Sequence, residues 1–195
     1  MKLRTIFAIV IAFCFGMQLS MAQSRDVGAV EFEIGGGIVS PTERLDFDKN
    51  HLGFNAQAEL RYNFQELPFD IGLHVDGALF KRDGKQFDTT QDLWKLASAQ
   101  FTSFTGMAVL DVNAWRAKGF SLFLGCGAGY GMLISDVENI NNIKDIDRVG
   151  CFCIMPRVGV EFLRHFRATL YYKHLKNEQN HFGLSVGVVF GGGRR

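Results

Sequence analysis

The chain has 195 residues, with 21 Lys and Arg against 20 Asp and Glu, 5 His and a formal net charge of +1. That length suits one domain, and so even a charge balance excludes the basic stripe of a nucleic-acid binder. With 19 Phe, 22 Gly and only 3 Pro it is not a disordered chain, and its 4 irregularly spaced Cys make no disulfide scaffold.

The first residues read as an address. Lys2 and Arg4 precede an almost wholly apolar run from Thr5 to Met17, and Ser20-Met21-Ala22 supplies small residues at −3 and −1 of a cut after Ala22. Charged, apolar and small-residue regions in that order are a secretory signal peptide, too short for a membrane anchor. Cys14 lies inside the apolar run behind Phe13, unlike a lipid-modified cysteine. The expectation is a signal peptide over 1–22 and a mature domain over 23–195. Losing Lys2 and Arg4 leaves 19 basic and 20 acidic residues, a net charge of −1.

Along the mature chain the dominant period is two. Ala56, Ala58, Leu60, Tyr62 and Phe64 alternate with Asn55, Gln57, Glu59, Arg61 and Asn63. Phe69, Ile71, Leu73, Val75 and Leu79 oppose Asp70, Gly72, His74 and Asp76, and Phe182 to Phe190 repeats the pattern. Alternation of this kind predicts strands, here about 27–39, 52–64, 69–81, 99–112, 119–132, 150–163, 166–176 and 181–191. Only Thr89 to Ala97 hints at a helical turn. The predicted strands are longer than the roughly 5–6 residues usual in globular sheets and long enough for tilted strands to cross hydrocarbon. The connections alternate as well. Those at 40–51, 82–98 and 133–149 are long and polar and that at 177–180 is shorter, whereas 65–68, 113–118 and 164–165 are tight. Long loops at one end and tight turns at the other fit an all-β, eight-stranded antiparallel up-and-down transmembrane β-barrel, with both termini at the tight-turn end.

A water-soluble barrel with an apolar interior has the same period. Three features favour the inverted arrangement. The polar faces carry both signs of charge, which can pair in a narrow lumen. Gly35, Gly37, Gly125, Gly127, Gly129, Gly159, Gly183 and Gly187 share that face and relieve crowding inside eight strands. Phe64, Phe69, Trp115, Phe120, Phe162, Phe166 and Phe190 collect near the tight turns, where an interfacial girdle belongs.

Asp111-Val-Asn113 before a turn, Phe123-Leu-Gly-Cys-Gly-Ala-Gly129, Pro156-Arg-Val-Gly-Val-Glu161 and the closing Phe182-Gly-Leu-Ser-Val-Gly-Val-Val-Phe190 give the chain a family look. It resembles the small outer-membrane β-barrel proteins of Gram-negative cells (the porin-family barrel domain) over essentially the whole mature chain. The resemblance implies a cell outer-membrane location, contact with outer-membrane lipid and delivery by the barrel assembly machinery. An aromatic ending the last strand is typical of such barrels, although here Gly191 to Arg195 follow Phe190. Members of the family differ widely in function.

No catalytic, cofactor-binding or metal-binding constellation emerges. Gly125 to Gly129 is followed by no helix, so it reads as strand glycine rather than a phosphate loop. Cys151 and Cys153 point into the lumen and Cys126 outward, which leaves all three as thiols. Tyr171 to Asn177 is loosely similar to the His-x-Ser-Asn stretch of the lipid A deacylases. His174 and Asn177 match, but Lys176 stands where the nucleophilic serine is required, and Ser185 falls on the lumen face.

The candidate site is therefore a lumen charge network of Glu31, Glu33, Glu59, Arg61, Asp76, Arg157, Glu161, Arg167 and Lys173. The pairs expected are Glu161 with Arg167 across the 164–165 turn, and Glu59 or Asp76 with Arg157. Eight strands leave room for little more than side chains. The expectation is thus a filled lumen and a structural or surface-interaction role, carried by long outer loops with an unidentified partner and no nucleic acid. A narrow porin is the alternative, and a lipid A-modifying enzyme a more distant one.

Overall fold

The computed structural model describes residues 28–42, 49–64, 67–88, 93–117, 120–138, 144–163, 165–175 and 180–191. The signal-peptide region lies outside the described residues. Nine strands form one antiparallel sheet: β1 (Val30–Pro41), β2 (Lys49–Asn50), β3 (Gly53–Asn63), β4 (Phe69–Asp88), β5 (Leu93–Ala117), β6 (Phe120–Glu138), β7 (Lys144–Phe162), β8 (Phe166–Leu175) and β9 (His181–Phe190). Each barrel strand pairs with its sequence neighbour, and β1 pairs with β9, which closes eight of them into a barrel. The two-residue β2 lies in line with β3, on the same side of β4, and the His51 N–H between them donates to the Lys81 carbonyl at 3.0 Å.

The register fixes the tilt. Hydrogen-bonded partners run Asn63, Asp70, Asp111, Gly125, Arg157, Tyr171, Gly183, Val39 and Gly53, so one circuit returns to β3 ten residues from its start (63 − 53). A shear of ten on eight strands corresponds to a tilt of about 40°. At about 3.3 Å per residue along the strand, each residue then adds about 2.5 Å of height.

Alternation decides what faces where. Leu73 is 64% exposed and Val186 52%, on the outside, whereas Arg167 is 1% and Lys173 0% exposed, on the inside. A soluble barrel has the opposite arrangement, so this outer surface is matched to hydrocarbon, where a closed barrel satisfies its backbone internally. Outward aromatics form two belts. Tyr62, Phe69, Phe120, Phe166 and Phe190 ring the tight-turn end, and Phe54, Phe104, Tyr130, Phe152 and Phe182 ring the other. Tyr62 and Phe54 are eight residues apart on β3, and so are Phe190 and Phe182 on β9. Eight residues span about 20 Å of height, close to the apolar band of an outer-membrane barrel. Of the tight-turn aromatics singled out in the sequence, the Trp115 side chain lies outside the described residues. The second belt is not apparent from local sequence because its members come from strands whose heights only the shear relates.

The expected loops need correction. Residues 82–88 and 93–98 continue β4 and β5 as a hairpin paired up to Asp88↔Leu93, and Leu93–Ala97 is strand rather than helical turn. Likewise β6 and β7 pair up to Glu138↔Lys144 through the predicted 133–149 loop. At the other end β5 runs to Ala117, past a register shift between Asn113 and Trp115, where a turn over 113–118 was expected. A sheet standing in water has two wet faces, so the apolar alternation that marks a half-buried strand is lost there. One wall of the barrel, β4 to β7, thus rises about 20 Å above the upper aromatic belt, as reckoned from the roughly nine residues between Leu79 and Asp88.

Candidate functional site: the lumen

Three layers fill the barrel interior. The layer toward the tight turns is a charge network built on three arginines from β3, β7 and β8. Arg157 donates through Nε and Nη2 to Asp111, at 2.9 and 2.8 Å, and through Nη2 to Glu59 Oε1 at 2.9 Å. Arg167 donates to Asp111 and lies 3.8 Å from both Glu33 and Glu59. Arg61 lies 3.3 Å from Glu31, 3.8 Å from Glu33 and 3.7 Å from Glu161. Each guanidinium thus serves two or three carboxylates, which its planar fork permits and a lysine would not. The Arg167 guanidinium carbon also sits 3.6 Å above the Phe123 ring centroid, stacked on an apolar face.

Backbone geometry makes room for these heads. Asp111 is the register partner of Gly125, where a Cβ would lie 1.9 Å from the Asp111 Oδ1. A Cβ on Gly187 would lie 2.4 Å from Glu33 Oε1. Lumen glycines are therefore seats for particular side chains, not mere spacers.

The middle layer is a polar rung. Lys173, fully buried, donates to Asp76 and, at 3.0 Å, to Thr105, whose hydroxyl in turn donates to Asp76. His74 joins the two layers: its Nδ1 is 3.0 Å from Glu59 Oε2 and its Nε2 4.0 Å from Asp76 Oδ1. Gln57 donates to Glu33 at 3.1 Å.

The outer layer is apolar. Val39, Ala78, Phe80, Ala99, Phe101, Leu133, Cys151, Cys153 and Leu175 point inward and are at most 7% exposed. The Phe80 and Phe101 rings stack at 5.5 Å, and the buried His181 ring lies 5.6 Å from Phe80. Among the described residues, the mouth facing the long hairpins is closed by carbon rather than by charge.

All nine residues expected in the network face the interior, with Glu161 the most accessible, at 16% side-chain exposure. Arg157 meets Glu59, Asp76 meets Lys173, and Glu161 meets Arg61. Glu161 and Arg167 are backbone register partners, while the Arg167 head reaches Asp111, Glu59 and Glu33. One-to-one pairing of five acids with four bases is too simple a picture. Asp70 and Asp111 are also buried inward, giving seven acids to four bases, and sharing replaces pairing. Asp70 accepts from Asn113 at 2.6 Å, at the tight-turn end.

Asp111, His74 and Thr105 are the residues that sequence reasoning left out of the site. For Asp111 the signal was present: parity from Thr105, Met107 and Val109 carries inward to 111. Apolar Met107 and Val109 on the lumen side of β5 obscured it.

No group of three or more His, Cys, Asp or Glu is arranged to hold a metal among the described residues. Cys126 is exposed on the outer face, while Cys151 and Cys153 are buried thiols inside. His174 is exposed outward, whereas Ser185 is 1% exposed inside and donates to the Thr169 carbonyl at 3.5 Å. The barrel wall separates these two, so they cannot form a base and nucleophile pair. Lys176 and Asn177 lie outside the described residues.

No family model and no curated protein matches the chain. Solved structures do. Neisserial surface protein A is 11% identical, covering 85% of this chain and 98% of that one with a TM-score of 0.53. Ail, the attachment invasion locus protein of Yersinia pestis, in complex with the heparin analogue sucrose octasulfate, is 19% identical over 83% of this chain and 99% of that one, with a TM-score of 0.48. The N-terminal β-barrel domain of Pseudomonas aeruginosa OprF is 15% identical over 86% and 100%, with a TM-score of 0.40. With its register closed, its charges inside and its aromatic belts outside, the chain has the fold of the small eight-stranded outer-membrane barrels that Neisserial surface protein A exemplifies.

Proposed function

We propose that this is an exported outer-membrane protein, cut after Ala22 and inserted by the barrel assembly machinery, that acts at its outer surface and does not conduct. The observation that carries this reading is the interior. A charge network, a polar rung and an apolar layer follow one another along the axis, and a solute would have to displace all three. Arg167 and Lys173 at 1% and 0% exposure leave no lining for a water-filled passage. What the molecule presents outside is a wall of four strands standing above the membrane, the extended β4–β5 and β6–β7 hairpins.

Planar-bilayer recording of the purified barrel tests this directly. The expected trace is flat. Reproducible single-channel steps would overturn the reading in favour of the narrow porin. Fractionation of cells should place the protein with the outer membrane, and its recovery in the soluble fraction would count against the proposed location.

A further inference from the structure

We propose that the barrel wall opens locally between β7 and β8, above Arg157, and gives apolar molecules dissolved in the membrane a sideways path to the apolar layer of the lumen. The path crosses the wall and does not follow the axis, so it is independent of the surface role.

Pro156 is the residue that creates this seam. β7 and β8 pair at Cys153↔Leu175 and Ile154↔His174, and then not again until Arg157↔Tyr171. The register is the same above and below, so this is an interruption and not a bulge. Toward β6 the ladder continues through Pro156, opposite Cys126. A strand residue directs its N–H and C=O to the same neighbour, and proline has no N–H. The missing bond is therefore one toward β8, and its acceptor is the carbonyl of Tyr172, which the register places opposite Pro156. Proline is otherwise kept to sheet edges, and a closed barrel has none. Among the described residues the other ladders run unbroken between the two aromatic belts.

The interruption lies in hydrocarbon. Pro156 is four residues below Phe152 of the upper belt, about 10 Å, and a carbonyl without a donor at that depth destabilises the closed wall. It also divides the ladder. Above it only two register pairs join β8 to β7. Below it Arg157 ties β7 to Glu59 and Asp111, while Lys173 ties β8 to Asp76. From Met155 up to Cys151 the inner face of β7 carries no charged side chain. This stretch of β7 is thus free to part from β8, and Arg157 is where the parting stops.

What lies behind the seam selects what enters. Cys151, Cys153, Leu175, Phe80 and Phe101 belong to one apolar cluster, so an apolar chain leaving the lipid exchanges one hydrocarbon surrounding for another. A charged solute would first have to leave water for lipid, at a high cost.

The test uses the barrel in lipid nanodiscs with Cys126→Ser and Cys151→Ala, which leaves Cys153 as the one thiol of residues 23–195. A long-chain N-alkyl maleimide, which partitions into lipid, should label Cys153 at least tenfold faster than a sulfonated maleimide confined to water. Pro156→Val returns a donor to the Tyr172 carbonyl. It should slow the labelling at least tenfold and keep the heat-modifiable migration of the folded barrel. Amide exchange of the unaltered protein is a second measure that needs no variant. The N–H groups of Ile154 and His174 should exchange at least tenfold faster than those of Val158 and Leu170, which hold the equivalent places below the interruption. Labelling by neither reagent, labelling indifferent to Pro156→Val, or equal exchange above and below Pro156 overturns the proposal. Equal labelling by both reagents also overturns it, because the route would then run along the axis. Channel steps alongside lipid-selective labelling would overturn the non-conducting reading and leave the seam standing.

Discussion

Arg157 holds two carboxylates, Glu59 and Asp111, through four hydrogen bonds of 2.5–2.9 Å. Removing it leaves both acids buried with one cation fewer, and breaking a buried pair in this way costs about 3–5 kcal/mol. Arg157→Ala should therefore lower the unfolding free energy, measured by urea titration in lipid vesicles, by that amount. Arg157→Lys should recover only part of it, because an ammonium cannot grip two carboxylates in a plane. Two glycines give a sharper contrast. Gly125→Ala places a methyl 1.9 Å from Asp111 Oδ1 and 2.7 Å from the Leu110 carbonyl oxygen, whereas a methyl at Gly106, on the lipid side, meets nothing within 4 Å. The first should reduce folding yield and the second should not, read as the fraction of heat-modifiable barrel. If both fold equally, the seat for Asp111 is not as tight as described.

At the scale of single strands, parity determines the environment of every side chain. Leu60 and Val186 face outward near the middle of the band between the two aromatic belts, and Gln57 faces inward at 8% exposure. Leu60→Arg or Val186→Arg should impair insertion by about 2–4 kcal/mol, the cost of an arginine against lipid at midplane. Gln57→Arg meets Glu33 and should be milder, as judged by folded yield in vesicles. The same parity explains what could be read from the sequence. Within the membrane a strand has one apolar and one polar face, so β1, β3, β8 and β9 were located to within a few residues. Above the membrane the apolar–polar alternation is lost, and the extensions Arg82–Asp88, Leu93–Ser98 and Lys144–Val149 read as loops although their hydrogen-bond ladders are continuous. The site was legible where charge marked it, at Arg61, Arg157 and Lys173. It was not legible where a lone acid ended an otherwise apolar inner face, as at Asp111. Partners came through only in part: Arg157 meets Glu59 as its charge suggested, but Arg167 meets Asp111 instead of Glu161, because which acid meets which arginine depends on the ten-residue shear, a property of the closed ring.

The closed ring also sets how the molecule sits in its solvent. The two aromatic belts are separated by eight residues on β3 and on β9, about 20 Å at the tilt that the shear imposes. Ordinary bilayers have hydrocarbon cores of about 30 Å, and mismatch costs a fraction of a kcal/mol per Å, through bilayer thinning or strained flanking residues. The tall wall of β4 to β7 cannot relieve this by sinking. It carries Lys81 and Arg148 outward above the belt, and drawing such groups into hydrocarbon is costly. Refolding from urea should accordingly be most complete in vesicles of short-chain phosphatidylcholine and fall steadily as the chains lengthen, scored by the shift between boiled and unboiled samples on a gel. Lengthening the band should move that optimum. Replacing Lys81 and Arg148 together by Leu extends the apolar surface upward on two strands of the wall, β4 and β7, and should improve refolding in the longer-chain lipid. An optimum in long-chain vesicles for the unaltered protein would mean that the upper belt does not mark the membrane boundary, and that part of the wall taken to stand in water lies in lipid.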